Sequence, residues 1–89
     1  MRHVDIAITG LVQGVGFRSS AKVKASVLGL CGYVRNNPDG SVAMEVEGKN
    51  ELVNEFLHWV EDGFAFPGRH EVTVGEGELK KYASFEIVI

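Results

Sequence analysis

An α+β sandwich, with two helices laid on one face of a mainly antiparallel sheet, is the fold class this sequence predicts. Three observations carry that expectation. Several short stretches alternate apolar and polar residues at the period of a strand, and two longer stretches repeat apolar residues at helical spacing. Glycine- and asparagine-rich turn signals separate them. The chain has 89 residues, 45% of them hydrophobic. That is enough for one small core, so a single domain over 1–89 is expected.

The elements follow in order. Val4, Ile6 and Ile8 alternate with Asp5, Ala7 and Thr9, which predicts a half-buried first strand. Gly10 to Gly16 then carries three glycines and no charge. From Phe17, the residues Phe17, Ala21, Ala25 and Leu28 recur at helical intervals, flanked by Val23 and Val27, and Gly29 is a stop signal. A second strand is expected over about 31–36. Asn37-Pro38-Asp39-Gly40 is turn chemistry, with Pro38 fixing φ and Gly40 free to take positive φ. Val42, Met44 and Val46 alternate beyond it, so the turn closes a hairpin.

Asn50 is the expected cap of a second helix, with Glu51 in its first turn. Val53, Phe56, Leu57 and Val60 make its apolar stripe, and Gly63 ends it. Val72 and Val74 alternate as a fourth strand, and Phe85, Ile87 and Ile89 as a short fifth. The order βαββαβ, with the short strand added, is the split βαβ or ferredoxin-like arrangement. That fold hosts many functions and decides none.

Composition excludes several classes. A net charge of −3 disfavours nonspecific nucleic-acid binding, which needs clustered Lys and Arg. One cysteine, Cys31, rules out an internal disulfide framework and reads as a small buried hydrophobe. Asp5 interrupts any signal-peptide core, and no stretch approaches the roughly 20 apolar residues that span a bilayer. Both absences predict a cytoplasmic protein. The start at Met1 and the close at Ile89 favour a complete protein over a piece of a larger enzyme.

The informative segment is Gly10-Leu11-Val12-Gln13-Gly14-Val15-Gly16-Phe17-Arg18. It joins a strand to a helix, where glycines let successive backbone N–H groups converge on an anion at the positive end of the helix dipole. The glycine spacing fits neither a dinucleotide-binding fingerprint nor a Walker A loop. Alone, such a loop is equally a tight turn beside a solvent-facing Arg. Arg18 shifts the balance, because a cation at a helix N-terminus is misplaced by roughly 0.3–1 kcal/mol unless an anion binds beside it. A guanidinium also grips phosphate with two parallel N–H groups.

Val12 to Arg18, then Leu28-Gly29-Leu30 and Gly32-Tyr33-Val34-Arg35-Asn36, resemble the signature of the acylphosphatases. The Asn37–Gly40 turn, Val46-Glu47-Gly48 and Ser84-Phe85-Glu86-Ile87 are similar too. The resemblance implies a hydrolase of acyl phosphates. Backbone amides of Gln13, Gly14, Val15, Gly16 and Phe17 would cradle the phosphate, Arg18 would clamp it, and Asn36 would position the attacking water. It implies no cofactor and no metal, a small acyl phosphate as substrate, inorganic phosphate as product, and a monomer with no nucleic-acid or membrane partner. Two stretches differ from the family pattern. Gly63-Phe64-Ala65-Phe66-Pro67-Gly68 stands in place of a Gly-Pro-Pro segment, and Ser19-Ser20 follow Arg18 where an aromatic residue is frequent.

The remaining chemistry-bearing residues have plainer expectations. His3, His58 and His70 lie far apart in sequence without a neighbouring ligand-like partner and read as surface or edge histidines. Glu45 and Glu47 fall on the polar face of their strand and read as solvated carboxylates, and Asp39 as a turn residue. Trp59 lies at the margin of its helix stripe. Arg35 points away from Asn36 and reads as a surface charge. An RNA-recognition module of the same fold needs stacking aromatics, but Ser41, Ala43, Glu45 and Glu47 offer none. A regulatory domain for a small molecule remains an alternative, with no reason to keep Arg18 and Asn36 together.

Overall fold

The structure, a computed structural model, describes residues 1–10, 16–62 and 70–88. Strand β1 spans Arg2–Gly10, helix α1 Phe17–Val27, β2 Cys31–Asn36 and β3 Val42–Gly48. Helix α2 spans Asn50–Glu61, β4 His70–Gly77 and β5 Phe85–Val88. The strands form one sheet in the order β4-β1-β3-β2-β5. Every neighbouring pair is antiparallel except β2 and β5, which are parallel. The expected ferredoxin-like order is present, including the short fifth strand.

Period-2 alternation divides the sheet into two faces. Val4, Ile6 and Ile8 of β1, Val34 of β2, and Val42, Met44 and Val46 of β3 are buried on one of them. Phe17, Ala21 and Ala25 of α1 and Val53, Phe56, Leu57 and Val60 of α2 close over these residues. Each large side chain buried there contributes about 1.5–3 kcal/mol. α1 packs on β2 and β5, while α2 packs on β3. The two alanines bring α1 close to the sheet, but Val23 and Val27, on its outer flank, stay exposed.

The helix stop expected at Gly29 is a full Schellman motif. Gly29 takes φ 70°, its N–H donates to the Ser26 carbonyl at 3.1 Å, and the Leu30 N–H donates to that of Ala25 at 2.9 Å. Leu28 is the cap residue rather than part of the helix body. For α2 the cap position belongs to Lys49, which is extended and makes no side-chain cap bond. Asn50 is instead the first helical residue, and its Oδ1 accepts from Arg2 at 3.3 Å. The expected Asn50 cap is thus corrected: the β3 strand runs to Gly48 and leaves a single residue for the bend. Gly63 and Ile89 lie outside the described residues. Among the described residues no helix is long and apolar enough to cross a membrane.

Candidate active site

Topology brings the two expected catalytic side chains to one end of the sheet. β1 and β2 both run antiparallel to β3, so their C-terminal ends coincide. The register makes this concrete: Val42 of β3 pairs with Ile8 on one side and with Asn36 on the other. Chain leaving β1 at Gly10 therefore emerges two strand spacings, roughly 10 Å, from the line of β2. α1 begins at that end and runs down the sheet, so its first turn stands at the end where Asn36 lies. Because Val34 is buried in the core, Asn36, two residues on, shares the helix-covered face, while Arg35 lies on the outer one.

Lys22 locates the flank of α1 that carries Arg18. The Lys22 ammonium lies 3.4 Å from a Glu86 carboxylate oxygen on β5, and Glu86 pairs with Tyr33. Arg18 is one helical turn before Lys22, about 6 Å further toward the strand ends. Asn36 is three residues beyond Tyr33 in the same direction, about 10 Å. Both side chains are half-buried. Among the described residues neither has a hydrogen-bond or ion-pair partner.

The helix end beside them is prepared for negative charge. Gly16 caps α1 in the left-handed conformation at φ 73°, no side chain caps the first turn, and the turn has no acidic residue. Among the described residues, no acidic side chain of that turn meets the positive dipole end. Phe17 is buried and stacks on Trp59 with centroids 5.6 Å apart, which anchors that first turn on α2. Trp59, expected at the stripe margin, is half-buried there. Gln13, Gly14 and Val15, expected in the phosphate cradle, lie outside the described residues, as does the 63–69 segment.

The turn after Asn36 is held without it. Asn37 donates its backbone N–H to the Ser41 carbonyl at 2.8 Å and its side-chain amide to Ser41 Oγ at 3.0 Å. Asp39 accepts from the Ser41 N–H at 2.9 Å and from its hydroxyl at 2.6 Å. Gly40 takes φ 94°. Asp39 is the turn residue that was expected.

A second polar group, on the outer sheet face at the opposite end, overturns two expectations. His3 is 2% exposed and Glu47 3%. Their side chains meet at 2.7 Å through Nδ1 of His3, and Nε2 reaches Asp5 at 2.9 Å. Glu47 also accepts the backbone N–H of Tyr82 at 3.2 Å and that of Lys80. Glu45 accepts the hydroxyls of Tyr33 at 2.7 Å and Tyr82 at 2.6 Å, and pairs with Lys80 at 2.8 Å. So His3 is not a surface histidine, and Glu45 and Glu47 are not solvated. Alternation placed Glu45 and Glu47 on the outer face correctly. It carried no sign that residues 78–84, joining β4 to β5, cross that face and cover it.

The electrostatics follow from these contacts. Burial works against charge on His3, yet the hydrogen bonds to Asp5 and Glu47 outweigh it and raise its pKa. Burial likewise opposes ionisation of Glu45, but Lys80, Tyr82 and Tyr33 pull its pKa down to about 2. The same contest lowers Glu47, through the Lys80 N–H and His3. Burial and the ionised Glu45 push Tyr82 up to about 12. Arg35 is exposed, its guanidinium 5.9 Å over the Tyr33 ring. Cys31 is a half-buried free thiol.

The family model described as Acylphosphatase matches residues 4–87. An acylphosphatase of Nocardioides sp. is 43% identical over 84 residues, covering 94% of this chain and 85% of the relative. The crystal structure of acylphosphatase from Bacillus subtilis matches with a TM-score of 0.84 at 32% identity, over 100% of both chains. Full-length HypF, in its phosphate- and nucleotide-bound form, contains a similar unit: the TM-score is 0.90 at 35% identity, over 98% of this chain and 12% of that one. With a family model spanning almost its whole length and a relative of comparable size, the chain belongs to the acylphosphatase family of hydrolases.

Proposed function

We propose that this protein hydrolyses the carboxyl-phosphate bond of small acyl phosphates, without a metal, by in-line attack of a water held by Asn36. In this reading the phosphate sits between the guanidinium of Arg18 and backbone amides of Gln13 to Phe17. One observation carries it: Arg18 and Asn36 share one end of the sheet beside an uncapped helix N-terminus, and neither side chain is engaged by the described protein.

The chemistry asks little more of these side chains. An acyl phosphate is a mixed anhydride whose leaving group is a carboxylate, stable as the anion without a general acid. Water oxygen bonds to phosphorus as the bond from phosphorus to the acyl oxygen breaks. The phosphoryl transition state is loose, so positioning and charge stabilisation supply most of the acceleration. Asn36 accepts one hydrogen bond from the water but cannot take its proton. That proton passes to a phosphate oxygen, and the products are carboxylate and inorganic phosphate.

Asn36→Ala tests the assignment. It is expected to lower kcat about 10²–10³-fold, the usual cost of one preorganised polar group, and to leave phosphate affinity near wild type. A residue that merely caps the turn would behave oppositely, with a lower Tm and intact kcat. Because Asn37 and Asp39 already hold that turn, Tm is expected to stay put. An Asn36→Ala protein that turns over at near wild-type rate removes Asn36 from the mechanism.

A further inference from the structure

The outer-face cluster does more than tie down the 78–84 segment, and it lies far from the anion site. His3 and Ile8 are five residues apart along β1, or about 17 Å. We propose that His3, Asp5 and Glu45 form a binding site for a divalent transition-metal ion of the zinc type, with Glu47 orienting the His3 ring. The inference does not rest on the hydrolytic reading.

The donor geometry comes first. Nε2 of His3 lies 2.9 Å from Oδ1 of Asp5 and 3.5 Å from Oε1 of Glu45, and the three atoms lie within 4.8 Å of one another. Ligand atoms around tetrahedral zinc stand about 3.4 Å apart, given bonds of about 2.1 Å. One nitrogen with two carboxylates suits borderline divalent ions, with water completing the shell. The ligands are also held from behind. With Nδ1 donating to the buried Glu47, the tautomer is fixed and Nε2 is left to face the carboxylates. That is the carboxylate–histidine arrangement found behind metal-bound imidazoles. Glu45 is oriented in turn by the hydroxyls of Tyr33 and Tyr82.

A second observation comes from β4, independently of the donors. The residues directly across from His3 and Asp5 on that strand are Gly77 and Gly75. A Cβ on Gly77 would stand 2.7 Å from the His3 ring, 3.3 Å from Nε2 and 3.4 Å from Asp5 Oδ2. At Gly75 a Cβ would meet nothing within 4 Å. Neither Gly77 nor Gly75 puts a side chain over the point where the three ligand atoms converge, and Asp5, at 56% exposure, opens it to solvent.

Charge balance completes the argument. Three carboxylates, Asp5, Glu45 and Glu47, meet there, compensated by the proton on Nε2 and the ammonium of Lys80. Lys80 is 55% exposed and pairs with Oε1 of Glu45, one of the proposed ligand atoms. A dication entering the site takes the place of both positive charges. The Nε2 proton is released to solvent, Lys80 swings outward, and the Tyr82 hydroxyl keeps its bond to the second lone pair of Oε1.

The experiment titrates metal-stripped protein with Zn²⁺ by calorimetry and with Co²⁺ by visible absorption. One ion per chain is expected, with a Co²⁺ spectrum of low-coordinate nitrogen and oxygen ligation. Asp5→Asn should weaken binding about tenfold or more, and Glu47→Gln about 10- to 100-fold through the lost orientation of His3. Lys80→Ala, a surface change that leaves the fold alone, should tighten binding several-fold by removing the competing ammonium. Absence of binding in the wild type overturns the proposal. So does binding that Asp5→Asn and Lys80→Ala leave unchanged, since the ion would then lie elsewhere. Acyl phosphate hydrolysis by Lys80→Ala should match wild type.

Discussion

At the scale of single residues, the proposed phosphate clamp turns on the electrostatic misplacement of Arg18. Its position in the first turn of α1 costs roughly 0.3–1 kcal/mol against the helix dipole. No acidic side chain in that turn offsets it. The proposed phosphate would, which leads to a thermal prediction. At about ten times its Kd, phosphate adds about 1.4 kcal/mol and raises Tm by roughly 6–11 °C in a domain of this size. Arg18→Ala should lose most of that rise while its ligand-free Tm stays at or above wild type. Equal stabilisation of both proteins in a melting experiment would remove Arg18 from the clamp. Gly32 is the structural counterpart. It sits in β2 at φ 141°, and a Cβ there would stand 1.8 Å from the Glu45 carbonyl oxygen across the β2–β3 ladder. Gly32→Ala should therefore cost roughly 2–5 kcal/mol by steric overlap and backbone strain together. Urea denaturation showing a loss under 1 kcal/mol would contradict that close approach.

At the scale of elements, what the sequence disclosed depended on whether the signal was local. Alternation, helical stripes, the Gly29 stop and the Asn37–Gly40 turn are all written within a few residues, and the elements formed where those signals lay. Arg18 stands out for a similar reason, at a helix start marked by glycine, whereas Asn36 is singled out only through the family resemblance. The outer-face cluster was not legible. His3, Glu45, Glu47, Lys80 and Tyr82 become neighbours only through the β1–β3 register and the path of residues 78–84, and nothing short-range encodes either. Asn50 failed as a cap because the preceding strand runs to Gly48, so Lys49 alone makes the bend. The covering segment gives a prediction at this level. Glu47→Ala leaves a buried imidazolium and the N–H groups of Lys80 and Tyr82 without their acceptor. The expected loss is about 3–5 kcal/mol, read as a lower urea midpoint. A midpoint shift worth less than about 1 kcal/mol would mean that water replaces the carboxylate freely.

At the scale of the whole molecule, the sheet separates two kinds of polar chemistry. One end of its helix-covered face presents Arg18, Asn36 and the N-terminus of α1. The other end of its outer face gathers three carboxylates around His3. Hydrolysis is assigned to the first, so it should proceed whether or not the second holds an ion. The most direct measurement is the rate at which the protein hydrolyses acetyl phosphate in excess chelator, with a phosphate monoester as control substrate. The account predicts rapid release of phosphate from the acyl phosphate, undiminished by the chelator, and no detectable turnover of the monoester, whose alkoxide leaving group needs an acid that neither Arg18 nor Asn36 supplies. Activity that disappears with chelation and returns with a divalent ion, or comparable turnover of the monoester, would contradict it.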